Sequence, residues 1–153
     1  MESLENKSKK NENLNGKPSI RVLVADDFER WRRQVRLLLR VSPELQVICE
    51  ASDGSEAVQR ADDLKPDLIV LDIGLPKLNG IEAARRIRQL SPDSKILFLS
   101  QNNDPDIVQA ALDTGALGYV HKTNARGELL PAVEAVLRGK QFVSIGLKAG
   151  TEL

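Results

Sequence analysis

Four short apolar runs, each ending in a polar residue, constrain this chain more than any other feature. Val22-Leu23-Val24-Ala25 runs into Asp26-Asp27, Leu68-Ile69-Val70-Leu71 into Asp72, Ile96-Leu97-Phe98-Leu99 into Ser100, and Gly118-Tyr119-Val120-His121 into Lys122. Short apolar runs are the pattern of parallel strands buried on both faces. In an open α/β sheet, ligands bind at the carboxyl ends of such strands. The four ends then bring three acids, a hydroxyl and an ammonium to one edge of one sheet. That set suits a divalent cation and a phosphoryl group.

Between the runs the period changes to that of helices. A strand over 20–25 leads into a helix near 28–41, with Phe28, Trp31, Val35 and Leu38 on one face and Arg30, Arg32, Arg33, Arg36 and Arg40 elsewhere. A strand near 46–51 precedes Ser52-Asp53-Gly54-Ser55, an N-cap signal, and a helix to about Leu64. Lys65-Pro66-Asp67 turns the chain into the strand that ends at Asp72. Asn79-Gly80 opens a helix through Leu90, closed by Ser91-Pro92-Asp93. After the strand at 95–99, Asp104-Pro105 is an N-cap with proline at the first helical position, and that helix ends near Thr114-Gly115. The strand at 118–121 leads to a last helix over about 126–138. Five strands alternating with five helices predict a doubly wound, five-stranded parallel sheet in a single domain, with right-handed crossovers covering both faces.

The flanks read differently. Residues 1–19 are polar and hold only Leu4 and Leu14 as large aliphatics, too little to offset ordering entropy, so a disordered tail is expected. The domain proper is expected over 20–140, and 141–153 is a tail or a linker whose Phe142, Val143 and Ile145 could pack back on the body. Lysine plus arginine number 22 and aspartate plus glutamate 22, a balance that argues against coating nucleic acid or anionic membrane. The arginine run near 28–41 reads as a solvated helix face, so no DNA binding by this chain is expected. No apolar stretch approaches the roughly 20 residues of a membrane span, and the N-terminus lacks a secretory pattern. A single cysteine, Cys49, forms no internal disulfide and reads as a small core residue. A cytoplasmic protein is expected.

Asp26, Asp27 and Asp72, brought together, would repel and need a cation. Magnesium accepts an oxygen-only site, keeping water and phosphate oxygens in its shell. An aspartate can attack phosphorus, and a lysine such as Lys122 can neutralise the charge that develops. Ser100 can hydrogen-bond a phosphoryl oxygen. Taken singly, each has a plain structural explanation: a helix cap, a loop hydroxyl, a surface lysine. Their conjunction, in order at successive strand ends, does not. The only histidine, His121, points opposite Val120 and reads as structural. No glycine-rich phosphate loop, zinc pattern or Ser-His-Asp arrangement is present.

These segments, with Pro66-Asp67, Ile73-Gly74-Leu75-Pro76 and Asn79-Gly80-Ile81-Glu82, make the chain similar to the receiver domain of bacterial two-component response regulators, the CheY-like (flavodoxin-like) fold, over about 19–140. Asp106-Ile107-Val108-Gln109-Ala110-Ala111-Leu112-Asp113-Thr114-Gly115-Ala116 resembles the LuxR/NarL-type subfamily, here without its helix-turn-helix. The resemblance implies a switch phosphorylated on Asp72 by a sensor histidine kinase, with changed partner or homodimer affinity. Mg²⁺ would be held by Asp26, Asp27, Asp72 and the Ile73 backbone carbonyl. Lys122 would contact the phosphoryl group, Ser100 would move toward it, and Tyr119 would rotate inward. The alternative for Tyr119 is an edge-strand aromatic half in the core. Gln101 stands where receivers usually carry a small residue, and Phe28 puts an apolar ring near the mouth. These two departures support a phosphorylation-independent interaction module as the alternative function. A haloacid-dehalogenase-like phosphatase expects a second aspartate where Gly74 stands. The chain is expected to catalyse only its own phosphoryl transfer and loss, not to act as an enzyme on a substrate.

Overall fold

A computed structural model describes residues 18–147, so the tail reading for 1–17 and the end of the chain from 148 lie outside the described residues. Pro18 and Ser19, counted above with the tail, are described, and Ser19 is buried. Chain order is β1 (Ile20–Ala25), α1 (Glu29–Leu39), β2 (Leu45–Ala51), α2 (Gly54–Leu64), β3 (Leu68–Leu71), α3 (Gly80–Leu90), β4 (Lys95–Ser100), α4 (Pro105–Asp113), β5 (Gly118–His121), a short 3₁₀ turn at Lys122–Asn124, α5 (Ala125–Leu137) and β6 (Phe142–Val143). All pairings are parallel and the sheet order is β2-β1-β3-β4-β5-β6.

Alternation along the strands explains why both faces are buried. Val22, Val24, Leu68, Val70, Leu97, Leu99 and Val120 pack under α1 and α5 with Val35, Leu39, Leu129 and Val133. Their neighbours Leu23, Ile69, Leu71, Ile96, Phe98 and Tyr119 pack on the other face, against Ala57 and Ala61 of α2, Ala84 and Ile87 of α3, and Val108 and Ala111 of α4. Thus α1 leaves β1 over one face while α3 leaves β3 over the other. The two strands are neighbours, so a crevice opens at their carboxyl ends, the switch point of the sheet.

Local chemistry sets the helix starts. Asp53 accepts from the Glu56 N–H at 2.7 Å while the Glu56 carboxylate accepts from the Ser52 N–H at 2.8 Å, a reciprocal cap. Asn79 caps α3 through the Glu82 N–H at 3.0 Å. Asp104 caps α4 through the Asp106 N–H at 2.8 Å, with Pro105 opening the helix.

Three details differ from the sequence reading. The sheet has six strands, not five: Phe142 and Val143 pair with Gly118 and Tyr119. Ser144 then accepts from the His121 N–H at 2.8 Å and donates to Glu128. The first helix starts at Glu29, so Phe28 stands at its N-cap, 63% exposed, rather than on the buried face. Cys49 is only partly buried, because β2 is an edge strand. Pro131 sits inside α5 without breaking it; the residue is exposed, so the carbonyl that loses its donor lies on the solvent side of the helix. Among the described residues no helix is long and apolar enough to cross a membrane.

Candidate functional site

Backbone hydrogen bonds fix the acids at the strand ends. The Asp26 N–H donates to the Ala51 carbonyl and the Asp72 N–H to the Ala25 carbonyl, each at 3.0 Å, extending the ladder one residue past β1 and β3. Asp26 Oδ1 accepts from the Phe28 N–H at 2.9 Å, and Asp72 Oδ1 from the Ile73 N–H at 2.8 Å. Each acid is therefore both a turn former and a member of the cluster. The remaining oxygens face Lys122: its Nζ lies 2.7 Å from Asp26 Oδ2 and 3.2 Å from Asp72 Oδ2. Asp26, Asp72 and Lys122 are 4%, 8% and 5% exposed. With Asp27 they bring three carboxylate oxygens within 4.8 Å of one another.

Three acids face one ammonium, so the charge does not balance. Burial pushes the Asp72 carboxyl above its usual range; Lys122 opposes the rise and Asp26 adds to it. A group poised this way in a cleft is a functional-site signature. The donor set, oxygen-only and over-charged, fits a hard divalent cation such as Mg²⁺.

Two glycines permit this packing. A Cβ on Gly80 would lie 2.0 Å from the Asp72 carbonyl oxygen, and one on Gly54 1.7 Å from that of Leu78. The loop between β3 and α3 is thus clamped from both ends by residues without side chains, and Gly80 sets how closely α3 approaches Asp72.

Ser100 ends β4, is buried, and accepts from the Asn102 N–H at 3.1 Å. Tyr119 lies inside the core, its hydroxyl donating to the Asn102 carbonyl at 2.7 Å. Hydroxyl and phenol are thereby tied to the two main-chain polar groups of one residue, Asn102, in the loop before α4. Burial also raises the Tyr119 phenol above its usual range. The ring is already inward, beyond the half-buried alternative. His121 binds the Gln101 carbonyl through Nε2 at 3.0 Å and Thr123 Oγ1 through Nδ1 at 2.6 Å, holding together the ends of β4 and β5. Gln101 and Phe28 line the opening of a cavity of about 620 Å³ that also reaches Asp27, Arg30, Trp31 and Asn102.

One expected ligand does not fit. The Ile73 carbonyl accepts from the Gly80 N–H at 2.7 Å and the Leu75 N–H at 2.8 Å, which engages both of its lone pairs. Sequence reasoning missed Arg30 and Trp31 as cavity residues. It treated one as a solvated arginine and the other as core, and nothing in the helical period of α1 separates a core-facing indole from one at the cavity edge.

The response regulator receiver domain family model matches residues 22–134. The chain belongs to this family. As a receiver domain it is a signalling module rather than a classical enzyme, and membership supports a phosphorylation-controlled switch. Its relatives include the transcriptional regulatory protein DegU of Brevibacillus brevis, 37% identical over 87% of this chain and 56% of that one. LiaR of Bacillus subtilis is 40% identical over 79% of this chain and 57% of that one. A LuxR-family two-component response regulator from Aurantimonas sp. SI85-9A1 superposes with a TM-score of 0.77 at 35% identity, covering 81% of this receiver and 89% of that chain. The receiver thus spans little more than half the length of the two transcriptional regulators it matches.

Proposed function

We propose that Asp72 accepts a phosphoryl group from the phosphohistidine of a sensor kinase, and that the acyl phosphate shifts this domain between two partner-binding states. The observation that carries this is the buried Lys122, which joins Asp26 and Asp72 inside a cluster of three carboxylates. In the step, an Asp72 carboxylate oxygen forms the bond to phosphorus as the P–N bond breaks and the imidazole leaves. Lys122 turns from the Asp72 carboxylate to a phosphoryl oxygen, and Ser100 donates a hydrogen bond to another. Asp26, Asp27 and Asp72 would hold Mg²⁺, which when bound neutralises charge on the carboxylates and the phosphoryl oxygens. With the Ile73 carbonyl engaged, the backbone of its cavity-lining neighbour Gly74 would supply the neutral ligand.

Ser100 cannot swing toward a phosphoryl group without releasing the Asn102 N–H, and the Asn102 carbonyl holds Tyr119. The loop before α4 and strand β5 therefore change together, and partner or homodimer affinity changes with that surface. Such a modification biases an existing equilibrium rather than creating a new state. A kinase partner, an homodimer and a cytoplasmic setting belong to this same reading, with residues 20–140 as the functional unit.

The test is intact-mass analysis after incubation with acetyl phosphate and Mg²⁺. The parent gains one phosphoryl group; Asp72→Asn gains none, nor does the parent in excess chelator. An undiminished adduct in Asp72→Asn would falsify the assignment, and no adduct in the parent would favour the phosphorylation-independent module.

A further inference from the structure

Lys122 is held by three groups, and only two of them are acids. Its Nζ also lies 4.7 Å from the centroid of the Trp31 ring, within the range of a cation–π contact. We infer that Trp31 is a positioning residue for Lys122, keeping the ammonium at the site when the carboxylates are drawn to other partners. The inference rests on the reading of Asp72 as phosphoacceptor, and it adds a residue that the acid cluster does not include.

Competition for oxygens is the core of the argument. A cation on Asp26, Asp27 and Asp72 would draw on the same two carboxylates that hold Lys122. A phosphoryl group on Asp72 would change its oxygens as well. A neutral indole face is taken by neither. Of the three contacts, Trp31 is the one the reaction leaves intact. Lysine needs such a neighbour, because its ammonium is a point charge on a flexible four-carbon stem. The contact is also sheltered: Lys122 is 5% exposed, and an ammonium–indole contact gains strength when desolvated.

Trp31 is itself well fixed. Its backbone N–H donates to the Phe28 carbonyl at 3.0 Å in the first turn of α1, and its side chain packs against the cluster under α1 and α5. The ring thus joins that core face to the cavity, which it lines. A helix residue that merely filled the core would not need an aromatic face toward Lys122.

The first test is the initial rate of adduct formation with acetyl phosphate at saturating Mg²⁺. Trp31→Leu, which keeps an apolar side chain but removes the ring, should slow the reaction about five- to thirty-fold. Trp31→Phe should recover most of the loss. In a Lys122→Met background, Trp31→Leu should slow the reaction no further. Equal losses in Trp31→Leu and Trp31→Phe, or losses that multiply with Lys122→Met, would overturn the inference in favour of simple packing.

A second test needs neither turnover nor a Trp31 variant. In the parent, the ε-methylene protons of Lys122, assigned with Lys122→Met, should resonate upfield through the indole ring current and stay there when Mg²⁺ is added. Their return to the ordinary lysine position on adding Mg²⁺ would refute the anchor. Should the parent take up no phosphoryl group, the proposed function fails, and the resonance position still decides the role of Trp31.

Discussion

Two charged networks lie within a few residues of each other and differ in almost every physical respect. At the strand ends, the buried Asp26 and Asp72 share one buried lysine with Asp27 at the cluster's open side, and the charge is left unbalanced. On the surface between α1 and β2, Glu50 accepts from Arg32 at 2.8 Å and Arg36 at 2.7 Å, while Arg36 also pairs with Glu29 at 3.2 Å. There two arginines meet two glutamates and water reaches all four. A balanced, wetted network needs nothing further. A buried network with surplus negative charge is costly until something positive arrives. The difference separates a structural ion-pair cluster from a ligand site without appeal to residue identity, since both are built from the same acids and bases.

Magnesium gives the largest expected separation between the two. If the cation relieves repulsion among the three aspartates, it raises stability by about 2.7 kcal/mol at a hundredfold excess over its dissociation constant. Urea unfolding with and without Mg²⁺ measures the gain. Asp27→Asn should reduce it by weakening the site, and Glu50→Gln should leave it whole. An unchanged midpoint at tens of millimolar Mg²⁺ would remove the distinction.

Geometry at the strand ends is expected to be as unforgiving as the charge. Gly80→Ala places a methyl group 2.0 Å from the Asp72 carbonyl oxygen, where only backbone can move. The expected loss is about 1–3 kcal/mol, together with slower phosphorylation, because α3 and Asp72 shift together. A fully stable, fully reactive Gly80→Ala would show that the close approach does not fix the site.

Asp72 supplies a pH test of the surplus charge, run without Mg²⁺. Burial holds its folded-state carboxyl above the ordinary value of 3.8, so the fold binds this proton more tightly than the unfolded chain does. Its contribution is fully present below that ordinary value and is lost as pH rises through the raised folded one. Asp72→Asn mimics the protonated form. At neutral pH it should therefore be more stable than the parent, with the advantage fading as pH falls through the raised folded value and gone below the ordinary one. An Asp72→Asn that is less stable at neutral pH would mean that the pairing with Lys122 outweighs the burial.

Much of this was legible in the chain because the signals were local. The apolar runs, the caps at Asp53, Asn79 and Asp104 and the proline at 105 each report on their own neighbours, and the strand ends then fall on one edge by topology alone. What escaped depends on distant partners. Strand β6 is two residues long and is held by Ser144 reaching Glu128 and His121, contacts that no periodicity announces. The Ile73 carbonyl is claimed by Leu75 and Gly80, and Trp31 meets Lys122 across the cavity. Register and packing decide both.

The smallest expected effect is the one that best defines the boundary between the networks. Glu50→Gln removes the charge that pairs with Arg32 and Arg36 but leaves an amide that can still accept from one of them. Partly exposed surface pairs of this kind contribute about 0–1 kcal/mol and weaken with salt. The loss should therefore be small and should shrink further in high salt, whereas the Mg²⁺ gain at the buried cluster should persist. Yet the networks touch at one point: Arg32 also donates to the Asp26 backbone carbonyl at 2.8 Å. If Arg32 loses its grip on Glu50, that hydrogen bond still has its donor, and the main chain at Asp26 is also held by Ala51. The expectation is thus an unchanged Mg²⁺ midpoint in Glu50→Gln. A shifted midpoint would mean that Arg32 transmits the state of the surface network to the acid cluster, and the two regions would have to be treated as one.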